Sequence, residues 1–131
     1  MEANVALPSD DADLNTAFTY QQYLDVAIND EARVEQCTTG GYTIQLFKQQ
    51  NANNTDYINV SWEGQSGRTP SASPVYLQVY NQITTTWVAV DSDNTTGDDT
   101  DFPLSGSVTT DVGNYYAAGN WVSFRVWQEG I

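Results

Sequence analysis

The chain contains no histidine and very little positive charge. Its 131 residues include four Lys and Arg side chains against 17 Asp and Glu side chains, which gives a formal net charge of −13 at pH 7. The absence of histidine excludes histidine-based catalytic triads and metal sites with histidine ligands. Because so anionic a surface repels phosphate backbones, we expect neither nucleic acid nor an anionic membrane surface as a partner.

Cysteine and long apolar runs are also scarce. The single cysteine, Cys37, cannot form an intrachain disulfide, and we expect a buried thiol within a strand. The chain opens with Met1, Glu2, Ala3 and Asn4, without the basic and apolar segments of a secretion signal. No apolar run approaches the length of a membrane-spanning helix.

Short sequence motifs that are typical of enzymes are absent too. The sequence has no G-x-G-x-x-G pattern, no P-loop and no G-x-S-x-G pattern. Carboxylates remain as candidate catalytic groups, but with 17 acids in 131 residues, pairs are expected by chance. We therefore expect a protein that is not an enzyme, since function must be argued from a site.

What the chain does contain is a series of short segments with alternating hydrophobicity, which is typical of half-buried β-strands. The clearest is 121–127, where Val122, Phe124 and Val126 point to one face. Other strands are predicted at 42–49, 57–62, 75–80, 86–90 and 102–110. A further strand is predicted at 32–37, forming a hairpin with 42–49 across Gly40 and Gly41, and a weaker candidate is 22–26.

Eight or nine short strands, with no convincing amphipathic helix, predict an all-β protein with a single antiparallel β-sandwich of the jelly-roll type. We place this domain at residues 9–131, preceded by a flexible N-terminal arm at residues 1–8. The predicted core consists of Ile58, Val60, Trp62, Val75, Leu77, Val79, Val122, Phe124 and Val126.

The first candidate site is the opposite face of these strands, which is too aromatic for an ordinary surface. Its predicted members are Tyr76, Tyr80, Trp121, Arg125 and Trp127. If the strands are neighbours, these side chains form a flat platform that stacks on sugar rings or on a partner protein. The alternative is that both faces are buried, with the N-terminal segment covering the outer one.

The second candidate site is the acidic loop at 91–101. Asp91, Asp93, Asp99 and Asp101 supply the hard oxygen ligands that calcium prefers, around the turn at Gly97. The spacing is not that of an EF-hand, because no Glu closes the loop. Calcium is therefore a candidate cofactor, and the alternative is an ordinary solvated turn.

Lys48 is the only lysine, and it lies on an apolar strand face. We expect it to extend into solvent or to pair with one of the many acids. The alternative is an intramolecular isopeptide bond, which requires a buried lysine near Asn or Asp.

Several segments of the second half, taken in order, resemble one known module. They are 74–81, 86–94, 99–102, 114–116 and 121–128. The series resembles a jelly-roll-like β-sandwich module of phage virion proteins and of large surface proteins from environmental microbial sequences, and residues 10–14 and 42–48 are similar to its opening. The resemblance implies the architecture and an adhesive or structural setting at a surface. It carries over no catalytic residue.

We therefore expect a structural or binding module of a virion or extracellular surface, such as a capsid decoration or appendage subunit. Its partner would be a protein lattice or further copies of the chain in a homo-oligomer, with the arm at 1–8 ordered only after assembly. The alternative is a carbohydrate-binding or adhesin module of a larger extracellular protein, with a glycan on the aromatic platform.

Overall fold

The computed structural model describes residues 1–27, 33–36 and 40–130, which form mostly antiparallel β-strands. Within these residues the strands are β1 Glu2–Val5, β2 Tyr42–Gln50, β3 Ile58–Gly64, β4 Val75–Asn81, β5 Thr86–Asp93, β6 Phe102–Val108 and β7 Trp121–Glu129. The helical elements are the α-helix α1 Tyr20–Ala27 and a single 3-10 turn at Val112–Tyr115.

The strands form two antiparallel sheets, as in an all-β sandwich. The larger sheet has the order β1-β2-β7-β4-β5, and β3 pairs with β6 in the smaller one. Strand β7 is the centre of the larger sheet, where Phe124 pairs with Phe47 of β2 on one side and with Val79 of β4 on the other. The residues with the clearest alternation therefore form the middle strand of the sheet, which is paired on both sides.

The core lies between the two sheets, on the face that the alternation predicts. Leu77 and Val79 of β4 are fully buried against β3 and β6, together with Val122 and Val126 of β7. Two of the nine predicted core residues, Trp62 and Phe124, are half-buried and pack against this cluster from its periphery. The other seven predicted core residues are buried, so the predicted core is confirmed.

The strand predicted at 22–26 is wrong, because these residues lie in α1. A reciprocal capping box begins the helix: the Gln22 N–H donates to Thr19 Oγ1 at 3.2 Å, and the Thr19 N–H donates to Gln22 Oε1 at 2.9 Å. The helix has eight residues, and no helix in the described part of the chain has the length and apolar character needed to cross a membrane.

The strand predicted at 32–37 is not confirmed either. Residues 33–36 lie outside any strand, and residue 32 and Cys37 lie outside the described residues. The expected hairpin across Gly40 and Gly41 is therefore not seen in the described residues, and the expected number of strands is not confirmed.

The N-terminus differs from the free arm expected at residues 1–8. Residues Glu2–Val5 form the edge strand β1 of the chain's own sheet, with Glu2 opposite Ile44 and Val5 opposite Tyr42. The segment that follows β1 crosses the face of the large sheet that is turned away from the core. This face, the outer face, is where the candidate binding residues lie.

Candidate binding surface

Residues 8–14 cross the outer face of the large sheet, and we call this segment the strap. Two hydrogen bonds from the central strand β7 hold it. Arg125 donates from Nη1 to the Pro8 carbonyl oxygen at 2.7 Å, and Ser123 donates from Oγ to Asp11 Oδ2 at 2.7 Å. The middle of the outer face is therefore covered by the chain itself.

Contacts with the strands on either side extend this cover. Trp87 of β5 donates from Nε1 to the carbonyl oxygen of Asp10 at 3.1 Å. On the same face, in the strand β2 on the opposite side of β7, Lys48 Nζ lies 2.7 Å from Asp13 Oδ1 in an exposed ion pair. Lys48 thus pairs with an acid, as the simpler of its two interpretations predicted.

Arg125 is buried under the strap, with only 4% of its surface exposed. Its Nε donates to Gln78 Oε1 at 2.8 Å, and its guanidinium carbon lies 4.1 Å from the centre of the Trp87 ring. Burial lowers the pKa of Arg125 to about 10, which still leaves it protonated at neutral pH. Arg125 therefore anchors the strap and is not available to an external ligand.

Tyr80 is the second of the five predicted platform residues, after Arg125, that is buried and does not belong to an exposed platform. Tyr80 is 5% exposed and packs on Trp87 with a ring separation of 5.0 Å. Burial, and then the nearby charges of Asp11 and Asp10, raise the pKa of its hydroxyl. Over this half of the outer face, the structure shows the alternative in which the N-terminal segment covers the strands.

The remaining aromatic residues of the predicted platform lie at two separate places on the outer face. Trp121 is 42% exposed at the start of β7, opposite Gln50. Trp127 and Tyr76 lie towards the other end of the sheet, where Tyr42 joins them. We call Tyr42, Trp127 and Tyr76 the aromatic row.

The aromatic row spans the three adjacent strands β2, β7 and β4, and each of its side chains is half-buried. Tyr76 stacks on Trp127 with ring centres 4.7 Å apart and an angle of 25°, and Tyr42 meets Trp127 edge-on at 5.4 Å. The Trp127 Nε1–H donates to Gln78 Oε1 at 2.9 Å, and this fixes the indole ring. The rings are therefore held in place without a ligand.

Tyr42 was not among the predicted members of this surface. Its alternation with Ile44 and Leu46 indicated a shared face, but the pairing of β2 with β7, which places Tyr42 beside Trp127, depends on residues 85 apart in the chain. No local signal in the sequence gives that register.

Beyond Tyr76, the aromatic row is followed by β5, the last strand of the large sheet. The neighbour of Tyr76 on β5 is Ser92, which is small and exposed. At the other end of the row, Tyr42 lies opposite the exposed Glu129. The row thus combines ring surfaces, on which flat or apolar groups can stack, with a neighbouring hydroxyl and a carboxylate, which can accept hydrogen bonds from polar groups.

Positive charge is scarce at this surface, because the four cationic side chains are either paired with acids or at least half-buried. Arg33 binds Asp101 through two hydrogen bonds of 2.6 and 2.9 Å, and Lys48 binds Asp13. Arg125 is buried and Arg68 is half-buried. The exposed surface is therefore dominated by carboxylates, which disfavour anionic ligands.

The acidic loop binds its own backbone and side chains. Asp93 accepts hydrogen bonds from the Thr95 and Thr96 N–H groups at 3.0 and 2.8 Å and from Thr96 Oγ1 at 2.9 Å. Although burial raises the pKa of Asp93, these hydrogen bonds outweigh it and lower the pKa overall. This carboxylate is stabilised as an anion without a metal.

The carboxylates of two of the other three predicted calcium ligands bind different partners, and Asp99 is bound through its backbone. Asp91 Oδ2 accepts from the Ser105 N–H at 2.8 Å, and Asp101 is bound by Arg33. The Asp99 N–H donates to the Ser66 carbonyl oxygen at 2.9 Å. Across residues 1–27, 33–36 and 40–130, no group of three or more acidic, cysteine or histidine side chains is placed to hold a metal ion. The four aspartates thus do not form the predicted site.

Comparisons of this chain with protein-family models, with curated protein sequences and with solved structures found no match. The resemblance to a module of phage virion and microbial surface proteins therefore stays a prediction.

Proposed function

We propose that this chain is a non-enzymatic structural and binding module of a virion or extracellular surface assembly, such as a capsid decoration or appendage subunit. The observation that carries the proposal is the aromatic row, whose side chains are only half-buried on the outer face beside the part that the strap covers. The jelly-roll connectivity of the two sheets and the location at a surface are parts of the same proposal.

The chemistry of the row supports a protein partner. Tyrosine and tryptophan are enriched at the centres of protein interfaces, where they bury a large area at a small entropic cost. Stacking on Tyr76 and the hydrogen bond to Gln78 hold Trp127 in one orientation before binding. A preorganised ring loses less conformational entropy when a partner covers it.

The test is recovery of the assembly with a tagged form of the full chain in the cell that produces it. Native mass spectrometry then measures the mass of the complex and identifies its components. We expect Trp127→Ala to reduce the amount of complex strongly, while Trp121→Ala, which truncates an exposed tryptophan outside the row, leaves it unchanged. Equal recovery with both variants would contradict the proposal.

A second candidate function is carbohydrate binding, and the stacked, half-buried pair of Tyr76 and Trp127 favours it. A sugar ring that stacks there would have the Ser92 hydroxyl close by, and the Glu129 carboxylate lies at the far end of the row to accept hydrogen bonds from sugar hydroxyls. Because the surrounding surface is anionic, the ligand would be a neutral glycan rather than a sulfated or sialylated one.

Intrinsic tryptophan fluorescence distinguishes the two candidates. Neutral polysaccharides and oligosaccharides are titrated into the protein and into the Trp127→Ala and Trp121→Ala variants. Saturable binding that requires Trp127 but not Trp121 would favour the carbohydrate module. No response to any neutral glycan, combined with a protein complex that requires Trp127, would favour the assembly subunit.

A further inference from the structure

Glu129 lies beside the aromatic row and is exposed. It is directly opposite Tyr42 of β2 and two residues after Trp127 on β7, so all three side chains point to the outer face. Directly opposite residues of an antiparallel pair have Cβ atoms roughly 4.5–5.5 Å apart, which places the carboxylate of Glu129 next to the Tyr42 ring. The row therefore ends at a negative charge.

The carboxylate of Glu129 has no cation of its own chain as a partner. The four Lys and Arg side chains of the sequence are all among the residues that the structure describes, and none of them forms an ion pair with Glu129. Arg33 and Lys48 bind other acids, and Arg125 is buried under the strap. The backbone of Glu129 is nevertheless held, because its carbonyl oxygen accepts a 2.9 Å hydrogen bond from Ser73 Oγ. A cation that pairs with this carboxylate has to come from another molecule.

The covered half of the outer face shows how a cation packs on the rings of this sheet. The guanidinium carbon of Arg125 lies 4.1 Å from the centre of the Trp87 ring, and Trp87 packs on Tyr80 with ring centres 5.0 Å apart. The aromatic row repeats the pairing of a tryptophan with a tyrosine, since the ring centres of Trp127 and Tyr76 are 4.7 Å apart. In the described residues, the first pair has a cation over its tryptophan and the second has none.

The charge of the whole chain also favours a cationic partner. With a net charge of −13, its field attracts cations and repels anions. Arginine and lysine have a long apolar stem and a charged head. The stem can pack on the half-buried rings of the row while the head pairs with the Glu129 carboxylate.

We propose that the aromatic row and Glu129 together bind a basic segment of a partner protein, with an arginine or lysine side chain of the partner at Tyr42 and Glu129. This inference rests on the proposed assembly function, to which it adds the charge of the partner.

A nuclear magnetic resonance titration of the isotope-labelled full chain tests the proposal with a pair of synthetic peptides. One is a short glycine–serine peptide that contains arginine, and the other has citrulline, a neutral isostere, in place of each arginine. With the arginine peptide we expect saturable shifts of the Trp127 Nε1–H and Glu129 amide signals. At the same concentrations the citrulline peptide should give no saturable shift, because its neutral head cannot form an ion pair with a carboxylate.

The decisive variant is Glu129→Gln, which removes the charge and keeps the size of the side chain. We expect the dissociation constant of the arginine peptide to rise about two- to fivefold, as for the loss of one exposed ion pair. The matched control is Asp111→Asn, which also removes an exposed carboxylate. Asp111 lies at the other end of the large sheet, because the turn that follows it binds Gln82 beyond the end of β4, whereas Tyr76 is near the start of β4. This control should bind the peptide as the wild type does.

Three outcomes would overturn the proposal. They are equal effects of Glu129→Gln and Asp111→Asn, equal binding of the two peptides, and the absence of any saturable shift. In the first case cations bind the anionic surface without preference, in the second the charge of the peptide is irrelevant, and in the third the row does not bind a basic segment.

The assembly recovered from cells separates this proposal from the proposed function. A complex that is lost in Trp127→Ala but retained in full in Glu129→Gln would overturn the basic partner and leave the assembly function standing. Peptide binding that requires Glu129, combined with a complex that Trp127→Ala leaves intact, would support the cation site and contradict the assembly function.

Discussion

The guanidinium group of Arg125 donates a 2.7 Å hydrogen bond to the carbonyl oxygen of Pro8, although 117 residues separate the two in the chain. This bond joins the centre of the large sheet to the strap. The strap covers the side chains around Arg125, whereas the side chains of the aromatic row are only half-buried.

Replacing Arg125 with Met tests how much the strap contributes to stability. The variant leaves the Pro8 carbonyl without its donor, while the Gln78 amide oxygen keeps the hydrogen bond from Trp127, and an unsatisfied buried group costs about 1–3 kcal/mol. We therefore expect the free energy of unfolding, measured in urea, to fall by about that amount. Amide hydrogen exchange of residues 8–14 should become faster, since the strap loses an anchor.

The matched control for this prediction is Arg33→Met. Arg33 forms an ion pair with Asp101 in which both side chains are partly exposed. Such pairs contribute about 0–1 kcal/mol, so the loss should be smaller than for Arg125→Met. Equal losses for the two variants, with unchanged exchange in the strap, would contradict the role of Arg125 as an anchor.

Gly106 of β6 gives a second prediction, about the packing of the two sheets. A Cβ atom at this position would lie 2.6 Å from the Cβ of Val90 and 2.8 Å from its carbonyl oxygen. Because backbone atoms cannot give way easily, we expect Gly106→Ala to destabilise the domain by about 1–3 kcal/mol in urea unfolding. Gly97→Ala is the control, because a Cβ there meets no atom within 4 Å. A smaller effect at Gly106 than at Gly97 would be inconsistent with this close approach of β5 and β6.

The strands and the core were predictable because alternation with a period of two is a local property of the sequence. Residues 121–127 fix which side of β7 faces the core, and Val122 and Val126 are buried there as expected. Helix α1 could not be predicted from hydrophobic periodicity. Its apolar residues face solvent, so periodicity did not indicate burial, and the capping pair of Thr19 and Gln22 was the remaining signal.

The candidate site was only partly predictable, because it depends on contacts that no spacing encodes. The alternation placed Tyr76, Tyr80, Arg125 and Trp127 on one face, which is correct. Which part of that face is covered depends on the path of the strap, and neither strand propensity nor charge indicates that path. The partner of a buried arginine was a distant backbone carbonyl, not one of the 17 acids.

The acidic loop gives a third prediction, which replaces the expected calcium response. Because Asp93 is bound by Thr95 and Thr96 and Asp101 by Arg33, the loop needs no cation to hold its carboxylates. We expect the melting temperature in calcium to equal that in magnesium at the same ionic strength, since both ions screen the anionic surface equally. A rise specific to calcium that Asp99→Asn abolishes would show that a calcium site exists.

The ion pair of Lys48 with Asp13 gives a fourth prediction, about pH. The hydrogen bond from Lys48, and then its charge, lower the pKa of Asp13 from its ordinary value of 3.8. A carboxyl with a lower pKa in the folded state stabilises that state above pH 3.8, and the stabilisation is lost as the pH falls through the lower, folded value. In Lys48→Met we expect the pKa of Asp13, followed by carbon NMR of the carboxyl group, to rise to its ordinary value. The pKa of Asp101, which Arg33 holds low in the same way, should not change and serves as the internal control. An Asp13 titration identical in the two proteins would show that Lys48 does not bind it in solution, and that the strap is held by its other contacts, which include those of Arg125, Ser123, Gln82 and Trp87.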